Sequence, residues 1–79
     1  MSVSMKKFEF PDKTFVLLDE GLENDLLHET CVVMEDAENG GYKVLRKTYQ
    51  DTGITAATKE EACRKAYNLL VEEWANPGL

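Results

Sequence analysis

The sequence has no long hydrophobic run. Its longest runs, residues 15–18 and 31–34, are far shorter than the roughly 18–20 apolar residues that a membrane-spanning helix needs. Lys6 and Lys7 near the N-terminus are not followed by the apolar stretch that defines a signal peptide. We therefore expect no membrane association and a cytoplasmic location.

Cysteine and histidine are also scarce. Cys31 and Cys63 are too few for a disulfide scaffold, and we expect two reduced, buried thiols, with a disulfide or a reactive thiol as alternatives. His28 is the single histidine, and nothing in the sequence orients it against a nucleophile. Metal-ligand spacings and a phosphate-binding loop are absent too. The sequence thus predicts no catalytic residue, no metal and no cofactor, and so a protein that is not an enzyme.

Basic residues are nearly missing from one segment. The 79 residues carry a net charge of −6, but residues 9–38 contain ten acids and a single base, Lys13. Residues 39–79 contain five acids and six bases, so the acidity belongs to the N-terminal half. A chain of this length forms one domain, 1–79, of which residues 1–5 are expected to fray.

Apolar periodicity and turn residues divide the chain into short elements. Residues 14–28 are ambiguous, because Phe15, Leu18, Leu22 and Leu26 have helical spacing while residues 14–18 fit a strand paired with 6–10. We favour a helix, at least over 20–28. Asn39-Gly40 predicts a β-hairpin with a type I′ turn, which requires a positive φ at both residues. Strands are predicted over 6–10, 29–35, 42–49 and 54–57, with a turn at 50–53.

The last element has the clearest signals. Thr58 and Glu61 match a helix-capping box, and Asn76-Pro77-Gly78 ends the segment. About 17 residues of helix follow the cap, with an apolar stripe that includes Ala62, Cys63, Ala66, Tyr67, Leu69, Leu70, Val71 and Trp74. The expected fold class is α+β: a three- or four-stranded antiparallel sheet with a C-terminal helix packed on one face, and possibly a short helix before the main hairpin.

The chain from Val32 onward has four features in a fixed order. They are an apolar strand, an acidic turn ending in Gly-Tyr, a second strand and a helix that begins with Thr-x-Glu-Glu-Ala. This pattern resembles the N-terminal domain of HicB-type antitoxins over about half of the chain. The matching positions are Val32, Val33, Glu35, Gly40, Gly41, Tyr42, Thr58, Glu60, Glu61 and Ala62. Domains of that family bind a basic, RNA-cleaving toxin, so the resemblance implies protein binding rather than catalysis.

A second resemblance concerns the start of the last helix. Residues 58–62 (TKEEA) are similar to the Ser-Lys-Lys-Glu-Ala of double-stranded RNA-binding domains, whose order is helix, three strands, helix. Glu60 and Glu61 stand near the positions where that family carries basic residues. The resemblance therefore implies a shared topology without the RNA function.

The main functional hypothesis is a small, acidic, non-enzymatic protein-binding module. Carboxylates on a small domain can steer it onto a basic surface, such as the groove of a nucleic-acid enzyme, and inhibit that partner. Antitoxins and phage-encoded anti-defence proteins, including anti-CRISPR proteins, share this character. The candidate partner-binding residues are Asp19, Glu20, Glu23, Asp25, Glu35, Asp36 and Glu38.

Two alternatives remain open. Lys43, Arg46, Lys47 and Tyr49 could form a nucleic-acid-binding strand face, although the acidic segment would repel phosphates and makes this partner the less favoured one. A homodimer built by edge-strand pairing, through 54–57 or the N-terminal strand, is the other.

Overall fold

The chain folds into a five-stranded antiparallel sheet followed by one helix, in a computed structural model that describes residues 4–19 and 30–75. Each strand pairs with the next along the chain, so the sheet order is that of the sequence. The elements are β1 (Ser4–Glu9), β2 (Lys13–Asp19), β3 (Thr30–Glu35), β4 (Tyr42–Arg46), β5 (Asp51–Ala56) and α1 (Lys59–Ala75). The α+β class and the C-terminal helix are confirmed, whereas three or four strands was too few.

The additional strand comes from the ambiguous segment. The first part of it, Lys13–Asp19, is not helical but forms β2, which pairs with β1 in the register Phe8↔Phe15. The alternative of a strand over 14–18 is confirmed. Its side chains are buried alternately, with Thr14, Val16 and Leu18 fully covered and the residues between them half-buried. Residues 20–28, where the helix was also expected, lie outside the described residues.

Two residues expected to fray are part of β1. Ser4 pairs with Asp19 and Met5 with Leu18. The sheet therefore begins near the start of the chain, and β1 forms one of its edges while β5 forms the other.

Helix α1 covers one face of the sheet, which we call the helix face. The core there combines strand residues with the small first half of the helix, where Ala62 and Ala66 are fully buried and allow close approach. Cys31 and Cys63 both belong to this core as buried cysteines that form no disulfide bond, as predicted. The other buried members are Val16, Leu18, Val33, Val44 and Leu70.

The opposite face, which we call the outer face, carries a row of apolar side chains. Phe8, Phe15, Val32 and Leu45 stand side by side across β1 to β4 in the strand register. Phe15 also contacts the ring of Phe10 edge-on, with the ring centroids 5.5 Å apart. The sheet is therefore apolar on both faces in its central strands.

The Thr58 half of the predicted capping box is confirmed. The Thr58 hydroxyl accepts a hydrogen bond of 3.2 Å from the backbone N–H of Glu61, and the helix runs for 17 residues. The carboxylate of Glu61 lies 3.4 Å from the Lys65 amine, one helical turn further on. Among the described residues, no helix is long and apolar enough to cross a membrane.

The β3–β4 hairpin forms at the predicted place with a different turn. Asp36 and Gly41 close it, because the N–H of Asp36 donates to the carbonyl of Gly41 at 2.9 Å. The positive φ angles are those of Gly40 (79°) and Gly41 (73°), so a type I′ turn with a positive φ at Asn39 was wrong. The Asn-Gly signal located the reversal correctly, but the loop is longer than two residues.

The β4–β5 connection also differs from the prediction. The turn is formed by residues 47–50, with Tyr49 at a φ of 68°, and β5 already begins at Asp51. Val44 pairs with Ile54 but Leu45 pairs with Asp51, so Thr52 and Gly53 form a bulge. Within the bulge, the Thr52 hydroxyl donates a hydrogen bond of 2.7 Å to the Val44 carbonyl. A turn at 50–53 was therefore wrong by about three residues.

Candidate functional site

The predicted acidic residues do not share one surface. Glu35, Asp36 and Glu38 lie where β3 ends and the hairpin begins, whereas Asp19 ends β2 at the opposite end of the sheet. A six-residue strand rising about 3.3 Å per residue separates the two ends by roughly 20 Å. Glu20, Glu23 and Asp25 lie outside the described residues. The acidic segment is continuous in sequence but is divided in space by the up-and-down topology.

Asp36 organises the hairpin. Its side chain is buried, and Oδ1 accepts hydrogen bonds of 3.1 Å from the backbone N–H groups of Glu38 and Asn39. The side-chain amide of Asn39 adds a third bond, to Oδ2, at 3.2 Å. The bonds from Asn39 hold the pKa of the Asp36 carboxyl below its usual value, since they favour the charged form. The carboxylate is thus used inside the chain, while Glu35 and Glu38 beside it are exposed.

Other carboxylates join Glu35 and Glu38 at this end of the molecule. Strand direction brings the end of β1, the β1–β2 turn and the start of α1 to the same side as the hairpin, and Lys59 contacts Glu9 at 3.4 Å. We call this region the acidic end, and its exposed members are Glu9, Asp12, Glu35, Glu38, Glu60 and Glu61. Four of them, Glu9, Asp12, Glu60 and Glu61, were not among the partner-binding residues predicted from the sequence. They could have been found from the alternating direction of the strands, which brings them to one end.

Three lysines lie at or near the acidic end. Lys13 contacts Asp12 and Lys59 contacts Glu9, each at 3.4 Å between exposed or partly exposed groups. Lys43 is close enough to Asp36 to help lower the pKa of that carboxyl. Such pairs are weak in water. Within the described part of the chain Glu35, Glu38 and Glu60 have no ion-pair partner, so this end keeps an excess of negative charge.

The predicted nucleic-acid-binding residues are separated. Arg46 pairs with Cys31 on the helix face, and its two terminal nitrogens each donate a 2.7 Å hydrogen bond to Glu73 of α1. These bonds from Arg46 lower the pKa of the Glu73 carboxyl. Lys43 faces the other side, three residues earlier in β4. Lys47 and Tyr49 belong to the following turn, where both are exposed.

A groove runs between β5 and α1. Its volume is about 480 Å³, and its lining residues are Gly53, Ile54, Thr55, Lys65, Asn68, Leu69 and Glu72. The Lys65 amine is already engaged there, donating to the Thr55 carbonyl at 2.9 Å. In residues 4–19 and 30–75, no group of three acidic, cysteine or histidine side chains is arranged to hold a metal ion. Burial raises the pKa of the Cys63 thiol, which makes it a poor nucleophile.

Comparison with known proteins finds no relative of this chain. No family model, no curated protein and no solved structure matches the chain. A function for this chain is therefore inferred from its own residues.

Proposed function

We propose that this chain is a small acidic protein-binding module without catalytic activity, whose acidic end docks on a basic surface of its partner. The observation that carries the proposal is the convergence of three separate chain segments there. The end of β1 with its turn, the β3–β4 hairpin and the first turn of α1 all contribute exposed carboxylates.

Rigid support makes these carboxylates suitable for recognition. Glu38 sits in a loop fixed by three hydrogen bonds to the Asp36 side chain, and Glu60 and Glu61 are held by the capped helix. Because the backbone that carries these side chains is already fixed, less conformational freedom is lost on binding. Complementary charge accelerates the encounter of two proteins and selects against acidic partners. This attraction weakens as the salt concentration rises, because salt screens charges beyond the Debye length, about 8 Å at physiological ionic strength.

The partner's chemistry follows from this charge pattern. A group of exposed carboxylates carries the same sign of charge as the phosphates of a nucleic acid, so the basic groove of a nucleic-acid-binding or nucleic-acid-cleaving protein is a fitting target. Occupying such a groove would inhibit the partner without chemistry. Protein binding without catalysis is also what the resemblance to HicB-type antitoxins implies.

The test is capture of a partner from a lysate of the source organism by the immobilised chain, at low and at high salt. The decisive variants are Glu38→Lys at the acidic end and Glu72→Lys near the other end of the molecule, which change the net charge equally. We expect a basic protein to be retained by the wild type and by Glu72→Lys, and to be lost with Glu38→Lys and in high salt.

Equal retention by both variants would refute docking through the acidic end. The alternative, nucleic-acid binding through Lys43, Lys47 and Tyr49, predicts retention on a single-stranded DNA or RNA column at low salt. Arg46, the fourth residue of that set, is committed to Glu73. Retention that falls when Lys43 and Lys47 are replaced by alanine would favour this alternative.

A further inference from the structure

The two edges of the sheet differ in how well they are protected. At the β5 edge the bulge at Thr52 and Gly53 distorts the strand, and Lys65 occupies the Thr55 carbonyl. Distortion and occupied backbone groups both prevent a further strand from pairing. The β1 edge has neither device: it is regular from Ser4 to Glu9, and residues 5–10 are all exposed.

We infer that β1 pairs antiparallel with β1 of a second copy of this chain, about a two-fold axis at Phe8. The hydrogen-bonding direction of β1 supports this arrangement. The N–H of Phe10 donates to Lys13 of β2 at 2.8 Å, so even-numbered residues direct their backbone groups towards β2. Backbone groups alternate along a strand, and those of Met5, Lys7 and Glu9 therefore point away from the sheet.

Charge then selects the register. Two β1 strands can form a hydrogen-bonded ladder only where the residues whose backbone groups point outward stand opposite each other. The two-fold axis must therefore pass through a residue of β1 and not between two residues. An axis at Lys6 or at Lys7 places lysine against lysine, and an axis at Glu9 places glutamate against glutamate, all of them unfavourable. An axis at Phe8 places each Lys7 opposite the Glu9 of the other copy, and opposite charges in that position are favourable.

The same register covers exposed apolar surface. Phe8, whose side chain is 48% exposed, meets its own copy as a non-hydrogen-bonded pair, the closer of the two pair types. Lys6 then faces Phe10 of the other copy, and Phe10 is 51% exposed. Pro11 ends the ladder because it has no N–H to donate.

The competing contact of Glu9 is weak. Its carboxylate lies 3.4 Å from the Lys59 amine, and both side chains are largely exposed. Breaking the Glu9–Lys59 contact, so that Glu9 pairs with Lys7 of the other copy, therefore costs little free energy. One strand pair buries less than the roughly 1,200 Å² of a stable complex, so self-association is expected to depend on concentration in the micromolar to millimolar range.

Charge exchange across the strand pair provides the test, with sedimentation equilibrium as the readout. The variants are Lys7→Glu, Glu9→Lys and the double exchange, and thermal unfolding checks that each is folded. By symmetry each single substitution converts two favourable pairs into like-charge pairs, and we expect the dimer to weaken roughly ten-fold. The double exchange should restore wild-type association, because the charges again oppose each other.

Mixing the two single variants gives the most discriminating result. Lys7→Glu supplies two acids and Glu9→Lys two bases, so the mixture should form a heterodimer more strongly than either variant associates alone. In the wild type, the amide protons of Lys7 and Glu9 should exchange more slowly as concentration rises. A wild type that stays monomeric throughout, or an association indifferent to these substitutions, would overturn the inference.

Discussion

Replacing Gly41 by alanine should destabilise the fold far more than the same replacement at Gly40. Both residues have a positive φ, 73° and 79°, which costs an L-residue about 1–2 kcal/mol. They differ in their surroundings. A Cβ on Gly41 would stand 2.5 Å from the carbonyl oxygen of Ala56, whereas a Cβ on Gly40 would have nothing within 4 Å.

The overlap at Gly41 sets the size of the difference. The obstructing atom is backbone at the end of β5, so it cannot move without shifting the strand. Overpacking of this kind costs typically about 1–3 kcal/mol in addition to the conformational strain. We therefore expect a loss of about 1–2 kcal/mol for Gly40→Ala and about 2–5 kcal/mol for Gly41→Ala.

Urea unfolding followed by circular dichroism measures both losses. With a slope of about 1 kcal/mol/M for a chain this small, the two midpoints should differ by about 1–3 M. If Gly41→Ala is unfolded without urea, the measurement is made in a stabilising osmolyte, with Gly40→Ala in the same buffer. Equal losses at the two glycines would refute the close approach of the hairpin to β5.

Two further predictions concern Thr14 and Asp36. The Thr14 hydroxyl is fully buried and lacks a hydrogen-bond partner within the described residues. Thr14→Val should therefore stabilise the protein by about 1 kcal/mol, whereas Thr14→Ser should destabilise it. An unchanged thermal midpoint in Thr14→Val would contradict this. The lowered pKa of Asp36 means that its stabilisation is complete above the carboxyl's usual pKa and is lost as pH falls through the lowered value. Asp36→Asn keeps an acceptor for the loop N–H groups but should lose this part of the acid dependence in urea midpoints.

The fold was predictable where one signal dominated. Thr58 and the apolar stripe of α1 placed the helix correctly, because capping and a 3.6-residue period agree. β2 was ambiguous because both faces of the sheet are apolar there: Val16 and Leu18 enter the helix face while Phe15 and Leu17 lie on the outer face. A strand buried on both faces loses its alternation and resembles a buried helix in sequence.

The turns and the candidate site depended on information outside local pattern. Asp36 was counted as surface charge, although an aspartate before a loop often accepts its backbone N–H groups. Gly53 favoured the prediction of a turn, but it lies in the β5 bulge. Glycine fits both places because each can require a positive φ. The acidic end required the direction of every strand, because its members come from positions 9 to 61 of the chain.

The position of α1 after all five strands has a consequence for synthesis of the chain. Neighbouring strands can pair as they leave the ribosome, because every contact in the sheet is between consecutive elements. The helix face of Val16, Val33 and Val44, however, is not fully covered until Leu70 has been added, 24 residues after β4 ends. At about 5–20 residues per second this leaves an apolar sheet open to chaperones, or to other nascent chains, for roughly 1–5 seconds.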